Sequence, residues 1–223
     1  TYWPMLRSTG VELRTECRVR EIIVDEKTGF ATGAIYHGSD GQVYEQKAEM
    51  VIVACNGVGT PRLLLNSKSK SFPNGLANRS GLVGKNLMFH PLTGIAGVFS
   101  EPMLGHEGPM ACSILSQEFY ETDTSRNFVR GYGLYSGRST TPMTYALGGY
   151  GIDNPIPWGK EHRKIMDTIY PYLAGLTVVT EDLPEESNCV TLDPNLTDSD
   201  GIPAPKITYR LGDNTRKMLR HGE

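Results

Sequence analysis

The sequence predicts a chain of two parts, α/β first and α+β after it, the second built on an antiparallel β-sheet flanked by helices. Three observations predict this. A short continuous apolar run, Met50-Val51-Ile52-Val53-Ala54, ends in a glycine turn and passes into a helix pattern. Ahead of it, two short alternating runs flank the turn Gly38-Ser39-Asp40-Gly41. Beyond residue 92 the pattern becomes strand-like runs separated by long, turn-rich links. The expected division is therefore 1–91 and 92–223.

Residues 11–25 read as extended, with Val11, Leu13, Cys17, Val19, Ile22 and Val24 alternating imperfectly with charges, and Asp25–Gly29 as a turn. Ala31–Tyr36 and Gln42–Lys47 are expected as a hairpin. Ala48–Ala54 is expected as a strand buried on both faces of a parallel sheet. A helix follows, with Thr60 as N-cap, Pro61 at the first helical position and Leu63, Leu64 and Leu65 turned inward. Strand, antiparallel excursion, buried strand, glycine turn and helix is the order in which many Rossmann-like nucleotide-binding domains return to their sheet. Further on, Leu92–Ser100, Phe128–Ser136, Leu173–Glu181, Cys189–Leu192 and Lys206–Tyr209 read as strands. A helix from about Gly159 to Tyr170 is anchored by Ile165, Met166 and Ile169. Another helix begins at Asp213, and the chain stops within it, as an internal segment would.

Composition narrows the function. A net charge of −3 offers no basic excess for nucleic acid or an anionic membrane surface. The longest apolar runs are strand-sized, far short of the roughly 18–20 residues of a membrane span. No secretory leader is read at Thr1-Tyr2-Trp3-Pro4, where an opening residue other than Met is expected of an internal piece. Cys17, Cys55, Cys112 and Cys189 form no metal-type pair and are expected reduced and mostly buried, which fits a reducing, cytoplasmic compartment, with a periplasmic one as the alternative.

The local feature with most chemistry is Val51–Ser67. Gly57 and Gly59 allow close backbone approach or positive φ, and a helix starting at Thr60 would aim unpaired N–H groups at the strand end. A dinucleotide is the natural occupant; a plain strand-to-helix turn is the alternative.

The run Ala54-Cys-Asn-Gly-Val-Gly-Thr-Pro-Arg-Leu-Leu-Leu-Asn-Ser67 resembles the second signature of the glucose–methanol–choline (GMC) oxidoreductases. Ser80-Gly-Leu-Val-Gly-Lys-Asn-Leu-Met-Phe-His-Pro91 resembles that family's next block, and residues 11–36 resemble its preceding hairpin region. The three blocks occur in family order across 11–91. The resemblance implies an internal fragment: part of an FAD-binding Rossmann-like domain (1–91), then a substrate-binding domain (92–223). It implies FAD as cofactor, with the adenine held by backbone groups of Val19 and the adenosine half lying against Ala54, Cys55, Asn56 and Gly57. Asn86 would brace the loop covering the cofactor. The implied reaction is oxidation of a small alcohol or a sugar hydroxyl by hydride transfer to flavin, with oxygen, a quinone or a cytochrome as electron acceptor.

Departures from the family pattern matter. Phe89 stands where Asp is usual, and Leu92 replaces the Glu that faces a trimethylammonium group in choline-oxidising members, which argues against choline. Cys55 and Asn56 replace the usual Gly and Ala. No GxGxxG occurs in the chain, and the family's base is a different histidine nearer its C-terminus. His90 therefore reads as a structural corner, no catalytic residue or metal ligand is assigned, and the chain alone is expected to be inactive. The acidic loop Asp193–Gly201 lacks calcium-ligand spacing, and Glu181-Asp182 and Glu185-Glu186 read as a solvated strand end. Two other readings stand beside this one: a fumarate-reductase-type flavoprotein, and a non-catalytic antiparallel-sheet binding module.

Overall fold

The computed structural model describes residues 2–107, 114–137, 141–148 and 157–223. In chain order the elements are α1 (Tyr2–Ser8), β1 (Arg18–Val24), β2 (Ala31–His37), β3 (Val43–Lys47), α2 (Asn56–Asn66), β4 (Leu92–Val98), β5 (Leu115–Ser116) and β6 (Tyr132–Gly137). They continue with α3 (Pro142–Gly148), α4 (Lys160–Thr168), β7 (Leu173–Thr180), β8 (Cys189–Thr197), β9 (Pro203–Thr208) and α5 (Asp213–Gly222). Helices and antiparallel sheets mix as the sequence predicts, in two compact units: Thr1–Leu87 with Pro184–Arg210, and Met88–Leu183 with Leu211–Glu223. The division differs from 1–91 and 92–223. The hairpin β8–β9 packs on α2 and so joins the first unit.

In the first unit, β1, β2 and β3 form an antiparallel meander. Both expected turns are present: the Asp25 carboxylate accepts the amides of Lys27 and Thr28, and Tyr44 Oη donates to Asp40 across the second hairpin. β1 carries a bulge. Val19 pairs with Tyr36 and Glu21 with Ile35, leaving Arg20 as the extra residue. Its freed carbonyl accepts Asn66 Nδ2 at 2.8 Å, so the bulge turns β1 toward the end of α2.

Two expectations fail here. Residues 11–17 form no strand, and neither do residues 48–54. Ala48 N donates to Thr32 O as the chain leaves β3; after that the apolar run has no ladder, with Met50 77% and Ile52 82% exposed. A parallel strand is stable only between neighbours, and every pairing among the described strands is antiparallel. The helix also starts early, at Asn56 instead of Thr60, because the Asn56 side chain accepts the amides of Val58 and Gly59 and so caps the extra turn. Pro61 consequently lies inside α2.

The second unit is an antiparallel sheet in the order β4-β7-β6-β5, with α5 packed on β7 and β4. Phe128, Tyr132, Val178 and Met218 form its main core, and Tyr145, Tyr170 and Leu173 a second cluster closed by Ile165, Met166 and Ile169 of the α4 region. The strands follow the expected runs to within a few residues, except that Phe128 packs ahead of β6 and not within it.

Candidate functional site

Within the first unit, a cleft of about 310 Å³ opens between β1, one face of α2 and the loop of the β8–β9 hairpin. Cys17 and Val19 line it from the β1 side, Cys55 and Gly59 from the turn into α2. Val19 is 45% exposed, so its side chain does not serve the core. Of the five residues predicted to face a cofactor, Val19 and Cys55 therefore share one cleft. Ala54, Asn56 and Gly57 flank Cys55 along the chain without lining the cleft, and all three are exposed. A Cβ added at Gly57 would meet nothing within 4 Å, which leaves open space over that backbone.

The helix terminus does not act as the sequence suggests. The amides of Val58 and Gly59, the donors expected to face a ligand, are already bonded to Asn56 Oδ1 at 3.0 and 3.1 Å. Thr60 is no N-cap; its hydroxyl accepts the Cys55 amide at 3.2 Å and so fixes the residue at the cleft's edge. A free anion-binding helix end is thus missing at these two amides.

Three guanidinium groups, those of Arg18, Arg20 and Arg62, also line the cleft. Each faces a carboxylate. Arg62 pairs with Asp198 at 2.8 Å, Arg18 with Asp198 at 3.3 Å and Asp200 at 2.9 Å, and Arg20 with Glu21 at 2.9 Å. Burial pushes the Asp198 carboxyl up, but the Arg62 hydrogen bond and the amides of Ile202 and Asp200 outweigh it and hold the group below the usual aspartate range. The cleft is near charge balance and small by ligand-site standards. It suits a neutral heterocycle with its ribose better than a phosphate.

Sequence reasoning missed Arg62, Asn66, Ser67 and the Asp198–Ile202 loop as builders of this site. Arg62, Asn66 and Ser67 lie within the motif that drew attention, yet their partners are far away in sequence: Arg20, Ile22 and Asp198.

Other singled-out residues take structural places. His90 Nδ1 donates to the Thr180 carbonyl at 3.2 Å, while the Thr180 hydroxyl donates to Pro91 O at 2.9 Å, which makes His90-Pro91 a braced corner. Asn86 sits at φ 59°, a conformation asparagine tolerates, between Lys85, paired with Glu186, and Leu87, whose amide bonds Asn188 O. Asp182 is no solvated strand end: it is half-buried and accepts the Thr215 hydroxyl at 2.7 Å and the Phe89 amide at 3.1 Å. Cys17 and Cys189 are half-buried and Cys55 is exposed, all three free, so the expectation of mostly buried thiols fails at the turn; Cys112 lies outside the described residues.

Residues 2–92 match the GMC oxidoreductase family. Over its whole length the chain is 42% identical to a 2-methyl-1,2-propanediol dehydrogenase of Mycolicibacterium austroafricanum, of which it covers 40%. It is 29% identical to the fructose dehydrogenase large subunit of Gluconobacter japonicus, with 83% of this chain and 33% of that protein aligned. Among solved structures it resembles the formate oxidase of Aspergillus oryzae RIB40, studied for its FAD modification, at a TM-score of 0.55 and 16% identity over 93% of this chain and 41% of that one. The chain belongs to the GMC oxidoreductase family. It spans about two fifths of the length of the first of these relatives.

Proposed function

We propose that the chain is the central portion of an FAD-dependent oxidoreductase acting on CH–OH groups, with a small alcohol or a sugar as substrate. Residues 1–87 with 184–210 contribute part of the FAD-binding domain, and 88–183 with 211–223 the substrate-binding part. The observation that carries the reading is the single cleft shared by Val19 and Cys55, two positions that the family resemblance assigns to the adenosine half of the cofactor. Size and charge balance favour adenine and ribose there. Val19 presents strand backbone to the base, Cys55 and Gly59 form the opposite wall, and the open backbone at Gly57 admits close approach. Bound FAD supplies the hydride acceptor. The relatives' names, a diol dehydrogenase and a fructose dehydrogenase, favour a hydroxylated substrate. No helix among the described residues is long and apolar enough to cross a membrane.

The chain by itself is expected to hold FAD weakly and to turn nothing over, since it carries no GxGxxG and its His90, bonded to the Thr180 carbonyl, is a structural corner. The test compares residues 1–223 with the full-length protein for bound flavin absorbance and for flavin reduction on adding vicinal diols or ketohexoses. Stoichiometric FAD and reduction in the full-length protein alone is the expected result. A full-length protein without flavin, or a fully active 1–223, overturns the proposal.

A further inference from the structure

Asp198 lies 136 residues from Arg62 in sequence, yet it is the point through which the far wall of the cleft is assembled. Its Oδ2 accepts Arg62 at 2.8 Å and Arg18 at 3.3 Å, tying α2 and β1 to one carboxylate. Its Oδ1 accepts the amides of Asp200 and Ile202, both at 3.0 Å, which folds the loop back on itself. Arg62 completes the closure by donating to the carbonyls of Ile202 at 3.0 Å and Pro203 at 2.8 Å. Arg62 and Asp198 are only 18% and 17% exposed, so the pair is weakly screened, and the bonds from Arg62 to the two carbonyls fix the direction of its guanidinium. Arg18, Arg62 and Ile202 all line the cleft, whereas Asp198 stands behind them.

We infer that Asp198 is a positioning residue for the adenosine end of the cofactor, acting through Arg62, Arg18 and the Ile202 loop, an inference that rests on the proposed adenosine cleft. Without the carboxylate, two guanidinium groups at the cleft lose their shared counter-charge and two loop amides lose the oxygen they share. The cleft then becomes positive and its wall mobile, and a neutral base is held less well. The proposed effect is confined to the adenosine end and leaves the isoalloxazine surroundings unchanged.

The test is FAD release from the full-length holoenzyme, followed by the rise of flavin fluorescence on dilution. Asp198→Asn is expected to speed release by about tenfold while the visible spectrum of the still-bound flavin stays unchanged. Arg62→Lys, which keeps the charge but loses the fork, is expected to speed release several-fold and serves if Asp198→Asn does not fold. Val19→Trp, which fills the cleft, separates the two readings. If Val19→Trp speeds release and the Asp198 and Arg62 variants do not, the positioning role is overturned and the adenosine cleft stands. If none of the three changes release, the adenosine cleft itself falls. A changed flavin spectrum in Asp198→Asn also overturns the role, because the residue would then act on the fold as a whole.

Discussion

Ser67 Oγ accepts the Ile22 amide at 2.9 Å and donates to the Leu63 carbonyl at 2.7 Å, so one buried hydroxyl both closes α2 and holds β1 against it. Beside it, Asn66 holds the carbonyl of the bulged Arg20. These two bonds set the spacing between the cleft's two walls. Ser67→Ala would leave the Ile22 N–H buried with no acceptor, a loss of roughly 1–3 kcal/mol. The expected outcome is a lower urea midpoint at unchanged slope. A midpoint equal to the parent's would mean that Ile22 finds another acceptor.

Gly84 shows how closely the β8–β9 hairpin approaches the rest of the first unit. It has φ +85°, its carbonyl accepts the Val190 amide at 2.7 Å, and a Cβ there would land on the Val190 carbonyl. Gly81, at φ +71°, has open space around the same position. Gly84→Ala therefore adds a backbone clash to the strain that Gly81→Ala carries alone. The expected losses are about 1 kcal/mol for Gly81→Ala and 3 kcal/mol or more for Gly84→Ala. Melting temperatures measured side by side check the order; equal losses would contradict the close approach.

The sequence made local chemistry legible and long-range closure illegible. Asp25 and Gly41 announce their turns because the side chain or the absent Cβ acts within a few residues. The run 50–54 reads as a buried strand because periodicity reports burial in a finished sheet, and no strand among the described residues pairs with it. Thr60-Pro61 reads as a helix start, since proline favours that place; the Asn56 carboxamide moved the start back a turn by capping amides that the motif reading left free. Val19 and Cys55 are tied to a cofactor by family resemblance alone. That they share a cleft depends on the Arg20 bulge, which alternation does not encode.

Gly57 separates folding from ligand approach. It lies in the first turn of α2 without positive φ and with no atom near its Cβ position. Alanine there restricts the unfolded chain and suits a helix, so Gly57→Ala is expected to raise stability by about 0.5 kcal/mol. The same methyl group occupies the space proposed for the adenosine backbone contact. FAD affinity of the full-length protein is therefore expected to fall several-fold while the melting temperature of the FAD-free protein rises. A rise in both would make Gly57 a helix residue only.

The Arg62–Asp198 pair also predicts a direction of pH dependence. Burial raises the Asp198 carboxyl, and the Arg62 hydrogen bond with the Ile202 and Asp200 amides more than offsets it, so the folded-state pKa lies below the ordinary value. An unfolded aspartate titrates near ~3.9. A folded pKa below that makes the carboxylate's contribution complete above the unfolded value and lost as pH falls through the folded one. Asp198→Asn is therefore expected to melt below the parent at about pH 6, by roughly 1 kcal/mol of stability or more, with a gap that holds constant up to about pH 8. Below about pH 4 the gap should narrow, because the parent's own carboxyl then takes up a proton and resembles the neutral amide. Melting temperatures of both proteins across this range provide the measurement. A gap that widens between pH 6 and 8 would assign the dependence to a group that titrates there, and would remove Asp198 as its source.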